Sequence, residues 1–151
     1  MHKLLQKRNR GFTLLELLVV ISIIGILIAI SAAAFTTAQQ KARNAKRQGD
    51  VNAMAKAFEQ YYAINGSSYA ATCGAMAGAL QGGIIPSDPK TGVRYDVGGS
   101  CVSDTVANTY CVCATLEPTG TTAGNSNATA NATCSGLSAG SGQYFCIKNQ
   151  Q

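Results

Sequence analysis

The sequence has no tryptophan, a single histidine at position 2, and three prolines, none of them before Pro86. Without a histidine beyond His2, the rest of the chain has no imidazole base and no His donor for zinc. Without a proline in the first 85 residues, nothing there forces a helix to break. No cysteine precedes Cys73, and no charged residue lies between Leu17 and Ala34. Charged residues make up only 13% of the chain. No nucleophile, base and orienting group stand in a recognisable arrangement, so no enzymatic activity is expected and no cofactor is implied.

The apolar content is concentrated in one run, Phe12 to Phe35, interrupted by Thr13, Glu16, Ser22, Gly25 and Ser31. The charge-free part, Leu17 to Ala34, has 18 residues. As a helix it would extend about 27 Å, close to the roughly 30 Å hydrocarbon core of a bilayer. This predicts membrane insertion. Residues 36–64 continue without a break but change character. Alanines favour helix, and Val51, Met54, Phe58 and Tyr61 or Tyr62 recur on one stripe. Lys46, Arg47, Asp50, Lys56, Glu59 and Gln60 fall largely off it. Lys46 with Asp50 and Lys56 with Glu59 stand at ion-pair spacing. Asn65-Gly66 is a stop signal. The pattern predicts one helix over about 12–64.

Beyond it the chain is rich in small and polar residues. A short helix is expected around Cys73–Leu80. Three strands are expected, at Val93–Val97, Tyr110–Leu116 and Gln143–Lys148, forming a small antiparallel sheet. The uncharged stretch Thr119–Gly142 reads as a long surface loop tethered by Cys134. The fold class is therefore α+β: a long N-terminal helix whose second half carries a small sheet.

Six cysteines, Cys73, Cys101, Cys111, Cys113, Cys134 and Cys146, all follow the apolar run. An even set beyond a membrane segment favours disulfides in an exported domain. Metal is disfavoured, because the one close pair, Cys111 and Cys113, has too short a gap for a structural zinc site. On a strand those two side chains point the same way, about 6.7 Å apart, which argues against a bond between them. The remaining connectivities stay open.

Net charge is +5. Lys3, Lys7, Arg8 and Arg10 precede the apolar run with no acid among them, so loss of residues 1–11 would lower +5 to +1. The basic balance belongs mostly to that leader and says little about partners. Lys41, Arg43, Lys46 and Arg47 form a second basic cluster on the helix. Lacking interleaved aromatics, it reads as a solvated or subunit-pairing face rather than a nucleic-acid site.

The segment Arg10-Gly11-Phe12-Thr13-Leu14-Leu15-Glu16, opening directly into an apolar helix, resembles the class III signal of type IV pilins and type II secretion pseudopilins. The resemblance is close over residues 1 to about 35 and looser to about 64. It implies the pilin fold. It also implies a leader 1–11, a membrane or filament-core segment 12–35 and a head 36–151. A membrane peptidase would cut between Gly11 and Phe12, and Phe12 would be N-methylated. Glu16 would serve assembly by pairing with the α-amino group of an adjoining subunit's Phe12, an amine that exists only after cleavage. A carboxylate near the start of an apolar helix is costly unless paired, which gives that role its physical sense. The resemblance implies a homo-oligomeric helical filament and partners in the inner-membrane assembly machinery. It implies a cytoplasmic N-terminus and a final location at the cell surface. A pseudopilin or a competence or adhesive minor pilin are the alternative roles.

The chief rival is an ordinary secretory signal cut after Ala32-Ala33-Ala34. Its apolar region is longer than usual, and Glu16 has no role in it. The chain also departs from many pilins in lacking a proline within Ile26–Phe35. Pro86-Ser87-Asp88-Pro89-Lys90-Thr91-Gly92 resembles the loop preceding the first strand in such proteins. Asp88, Asp96 and Asp104 are too dispersed to predict a calcium site. Asn127 and Asn131 each begin an Asn-Ala-Thr sequon, which marks only composition.

Overall fold

The computed structural model describes residues 11–127 and 142–149. One helix, α1, runs over Leu14–Ile64. Strands β1 (Cys101–Asp104), β2 (Thr109–Thr115) and β3 (Tyr144–Lys148) form an antiparallel sheet in the order β1-β2-β3. The chain divides into two compact units, the first ending at Ala38 and the second starting at Gln39.

In the first unit the large apolar side chains, Phe12 and those from Leu14 to Ile30 and Phe35, are exposed. Ser22 and Ser31 donate their hydroxyls to the carbonyls of Leu18 and Leu27, each at 2.8 Å. The two serines are thus satisfied by their own helix, as an apolar surrounding requires.

In the second unit Val51, Met54 and Phe58 are fully buried on one stripe of α1. They join Tyr69, Met76, Ile85, Tyr95, Tyr110 and Val112 in the core. Asn65 and Gly66 end the helix. Gly66 has φ +67°, and the N–H of Ser67 reaches the Tyr62 carbonyl, satisfying the last turn. The expected short helix is a 3₁₀ segment, Gly74–Ala79.

Two side-chain expectations on α1 are corrected. Arg47 is not off the buried stripe. It is only 3% exposed, one turn before Val51. Glu59 accepts hydrogen bonds from the Tyr69 and Tyr110 hydroxyls at 3.0–3.1 Å rather than pairing with Lys56. The Lys46–Asp50 pair is present at 3.2 Å.

The sheet is also corrected at one strand. Val93–Val97 makes only a single bridge, Ser87 with Arg94. The Asp88 carboxylate takes the N–H groups of Lys90 and Thr91, and the Gly92 N–H reaches the Asp88 carbonyl. These contacts wind the segment into its own turn. Tyr95 is buried while Val93 and Val97 are exposed, the reverse of one shared strand face. The first strand is instead Cys101–Asp104, whose short polar sequence carries little β signal. It is fixed by the Cys73–Cys101 disulfide and by the turn in which Asp104 Oδ1 accepts from the N–H groups of Val106 and Ala107.

The second disulfide joins Cys113 to Cys146, directly opposed in the β2–β3 register. Cys111 is disulfide-bonded as well and is not joined to Cys113. Cys134 lies outside the described residues, as does most of the predicted loop 119–142. The Asn125 amide covers the outer edge of β3, exchanging two hydrogen bonds with the backbone of Cys146 at 2.7 and 2.8 Å.

Candidate processing and assembly site

Helix α1 does not begin at Phe12. Gly11, Phe12 and Thr13 are non-helical, and Leu14 is the first helical residue. The reason is local. Thr13 Oγ1 accepts the Glu16 N–H at 3.2 Å, and the Glu16 carboxylate accepts the Thr13 N–H at 3.4 Å. The Thr13 hydroxyl also reaches Glu16 Oε2 at 3.4 Å. The Thr13 carbonyl takes the first helical bond, from Leu17 N–H at 3.2 Å. This reciprocal arrangement is a capping box, in which N-cap and N3 side chains satisfy each other's free amides. Sequence reading assigned Glu16 its role through the resemblance and missed the cap, although Thr-x-x-Glu before an apolar run is its signal.

Three facts therefore meet at this end of the chain. Gly11 and Phe12 are non-helical and exposed. Phe12 is 81% exposed. One acidic group, Glu16, sits in the first turn of the helix, where the macrodipole favours negative charge. Helix α1 is also long and apolar enough to cross a membrane.

The basic cluster is largely consumed inside the second unit. Arg47 Nε and Nη2 engage both oxygens of Asp88 at 2.5 and 3.2 Å, and Nη2 also meets Glu117 at 2.7 Å. Arg43 grips Glu117 with two further bonds, at 3.1 and 2.7 Å. Asn44 binds the Glu117 backbone on both sides, donating to its carbonyl and accepting from its N–H. Burial opposes ionisation of Asp88, but the Arg47 guanidinium and the amides of Thr91 and Lys90 outweigh it and lower its pKa to about 2. Hydrogen bonding from Arg43 is the main cause that brings Glu117 to about 2. Sequence reading could not find Glu117, which is 70 residues from Arg47. The other predicted acids do not converge. Asp96 pairs with Arg94, and Asp104 serves its turn. No group of three or more metal-ligating side chains gathers among the described residues.

Residues 6–32 match the model of the prokaryotic N-terminal methylation motif. The N-terminal segment is of the prepilin type. Over 55 residues the chain is 38% identical to the type IV major pilin protein PilA of Myxococcus xanthus (strain DK1622), covering 36% of this chain and 25% of that protein. It is 29% identical over 86 residues to the type II secretion system core protein G of Dickeya chrysanthemi, covering 57% of this chain and 56% of that protein. The chain thus spans a quarter to about half the length of these relatives. No solved structure matches it. The prepilin-type motif, the single long helix and the small disulfide-bonded antiparallel sheet together give a pilin-like α+β architecture.

Proposed function

We propose that this chain is the precursor of a structural filament subunit of the type IV pilus kind. It is held in a membrane by the start of α1, cut between Gly11 and Phe12, and polymerised through the same helix. The observation that carries this reading is the exposed apolar surface from Phe12 to Phe35 with one carboxylate, Glu16, at its mouth. An unpartnered apolar surface of that extent has to be covered. A membrane covers it before assembly and neighbouring helices cover it afterwards. Cleavage by a prepilin peptidase frees the Phe12 amine, the cation that a buried Glu16 needs. The head contributes exposed surface and no catalysis.

N-terminal mass spectrometry of filaments sheared from the cell surface tests this. Methylated Phe12 is the expected terminus. A soluble chain beginning at Phe35 refutes it in favour of an ordinary secretory signal.

A second reading, a pseudopilin serving protein export, is favoured by one observation. The similarity to core protein G extends over 86 residues, more than the 51 of α1, and so reaches into the head. A methylated chain found only in the cell envelope, with none in sheared filaments, selects it.

A further inference from the structure

We infer that Thr13 is a positioning residue for cleavage of the Gly11–Phe12 bond: its hydroxyl fixes the helix start at Leu14 and so keeps the scissile amide in non-helical backbone. The inference rests on the processing reading above.

The argument begins with one amide. In a helix extended one residue upstream, the N–H of Glu16 would bond to the carbonyl of Phe12. Here that N–H is held by Thr13 Oγ1 instead. The Thr13 carbonyl is the first acceptor of the helical ladder. The Thr13 N–H, three residues upstream, is occupied by the Glu16 carboxylate. The first donor that would propagate the helix toward the cut, the Glu16 N–H, is thus diverted, and the cap's own N–H is satisfied.

The medium makes this diversion matter. At the edge of a bilayer an amide without a partner is costly, so an uncapped helix gains by extending. The residues here oppose extension only weakly: Phe12 is a tolerable helix former, and only Gly11 resists. Hydrolysis adds water across the Gly11–Phe12 amide. The C–N bond breaks, a C–O bond forms at Gly11, and a proton passes to the Phe12 nitrogen. A peptidase must grip the backbone on both sides of that bond, and backbone committed to a helix is poorly available to it. The cap leaves Phe12 and Thr13 as a two-residue non-helical spacer between the cut and the helix.

The test uses the full chain in bilayer vesicles with a purified membrane prepilin peptidase. Thr13→Val keeps the shape and removes the hydroxyl. Its KM should rise about fivefold with kcat unchanged, because loss of an ordinary N-cap reduces the fraction of chains with a non-helical cut site. Thr13→Ser, which caps as well as threonine, should cut within about twofold of the parent. Backbone carbon chemical shifts at Phe12 should turn helical in the valine variant only. Parent-like KM for Thr13→Val, or a serine variant as impaired as valine, overturns the inference while leaving the processing reading intact. A parent chain that is never cut at Gly11–Phe12 overturns both.

Discussion

Arg47 of α1 and Asp88 of the proline-containing loop face each other as a two-point ion pair, with Nε on Oδ2 at 2.5 Å and Nη2 on Oδ1 at 3.2 Å. Arg47 continues to Glu117 at 2.7 Å, so one nearly buried guanidinium joins the helix to two loops. An Arg suits this junction, since its planar fork can serve two carboxylates at once.

Removal of one partner should therefore cost more than the pair itself contributes. Arg47→Ala leaves Asp88 and Glu117 facing each other with only Arg43 and Lys90 nearby. We expect destabilisation of about 3–5 kcal/mol. Arg47→Lys should recover only part of it. Thermal unfolding of the detergent-solubilised full chain measures both, and equal melting temperatures for Arg47→Ala and the parent would remove the junction's structural role.

Acid should act on the same junction. Asp88 and Glu117 have folded pKa values of about 2, below their ordinary values of 3.8 and 4.5. Groups depressed on folding add stability above their unfolded pKa and lose it as pH falls through the folded one. Stability should hold from neutral pH to about 5 and decline between about 4 and 2, with Asp88 alone accounting for about 2 kcal/mol. Asp88→Asn should flatten that decline. A variant with the parent's acid profile contradicts the assignment.

Glu16→Gln separates helix capping from charge. Glutamine can complete the same box with Thr13, but it cannot pair with an amine. The variant should insert and lose its leader, yet yield few filaments. Counting sheared filaments against membrane-held mature subunit measures this. Filament yield equal to the parent's would show that the charge has no part in assembly.

Disulfide mapping gives a prediction independent of the membrane. Four cysteines are joined as Cys73–Cys101 and Cys113–Cys146, and Cys111 is bonded too. Non-reducing peptide analysis of exported protein should recover Cys111 linked to Cys134, the one cysteine left. Cys73→Ser with Cys101→Ser opens the tie between the 3₁₀ segment and β1, and should cost about 2–4 kcal/mol. A free thiol in the parent chain would contradict full pairing.

Much of this chain is legible from residue order because its strongest signals are local. The apolar run, the absence of proline before Pro86, the Asn65-Gly66 stop and the Thr13–Glu16 spacing all act within a few turns of one helix. Helix capping and hydrophobic periodicity need no knowledge of distant residues. The strands at Tyr110–Leu116 and Gln143–Lys148 were readable for the same reason, with β2 displaced by one residue from the first span and β3 inside the second.

What residue order could not supply was decided by contacts across long separations. Val93–Val97 alternates like a strand, but Asp88 spends the neighbouring amides on a turn, so the sheet takes Cys101–Asp104 instead. Arg47 looks like a surface charge until Asp88 and Glu117, 41 and 70 residues away, meet it. Glu59 looks like a partner for Lys56 until two tyrosine hydroxyls reach it. The sequence alone determined where the helix ends, which part of it is apolar enough for a membrane, and where the one acid of that apolar part sits. Only the tertiary structure decided which charges are buried and which cysteines pair. Both depend on loop ends brought together in space, and burial makes a charge seek whatever opposite charge folding delivers.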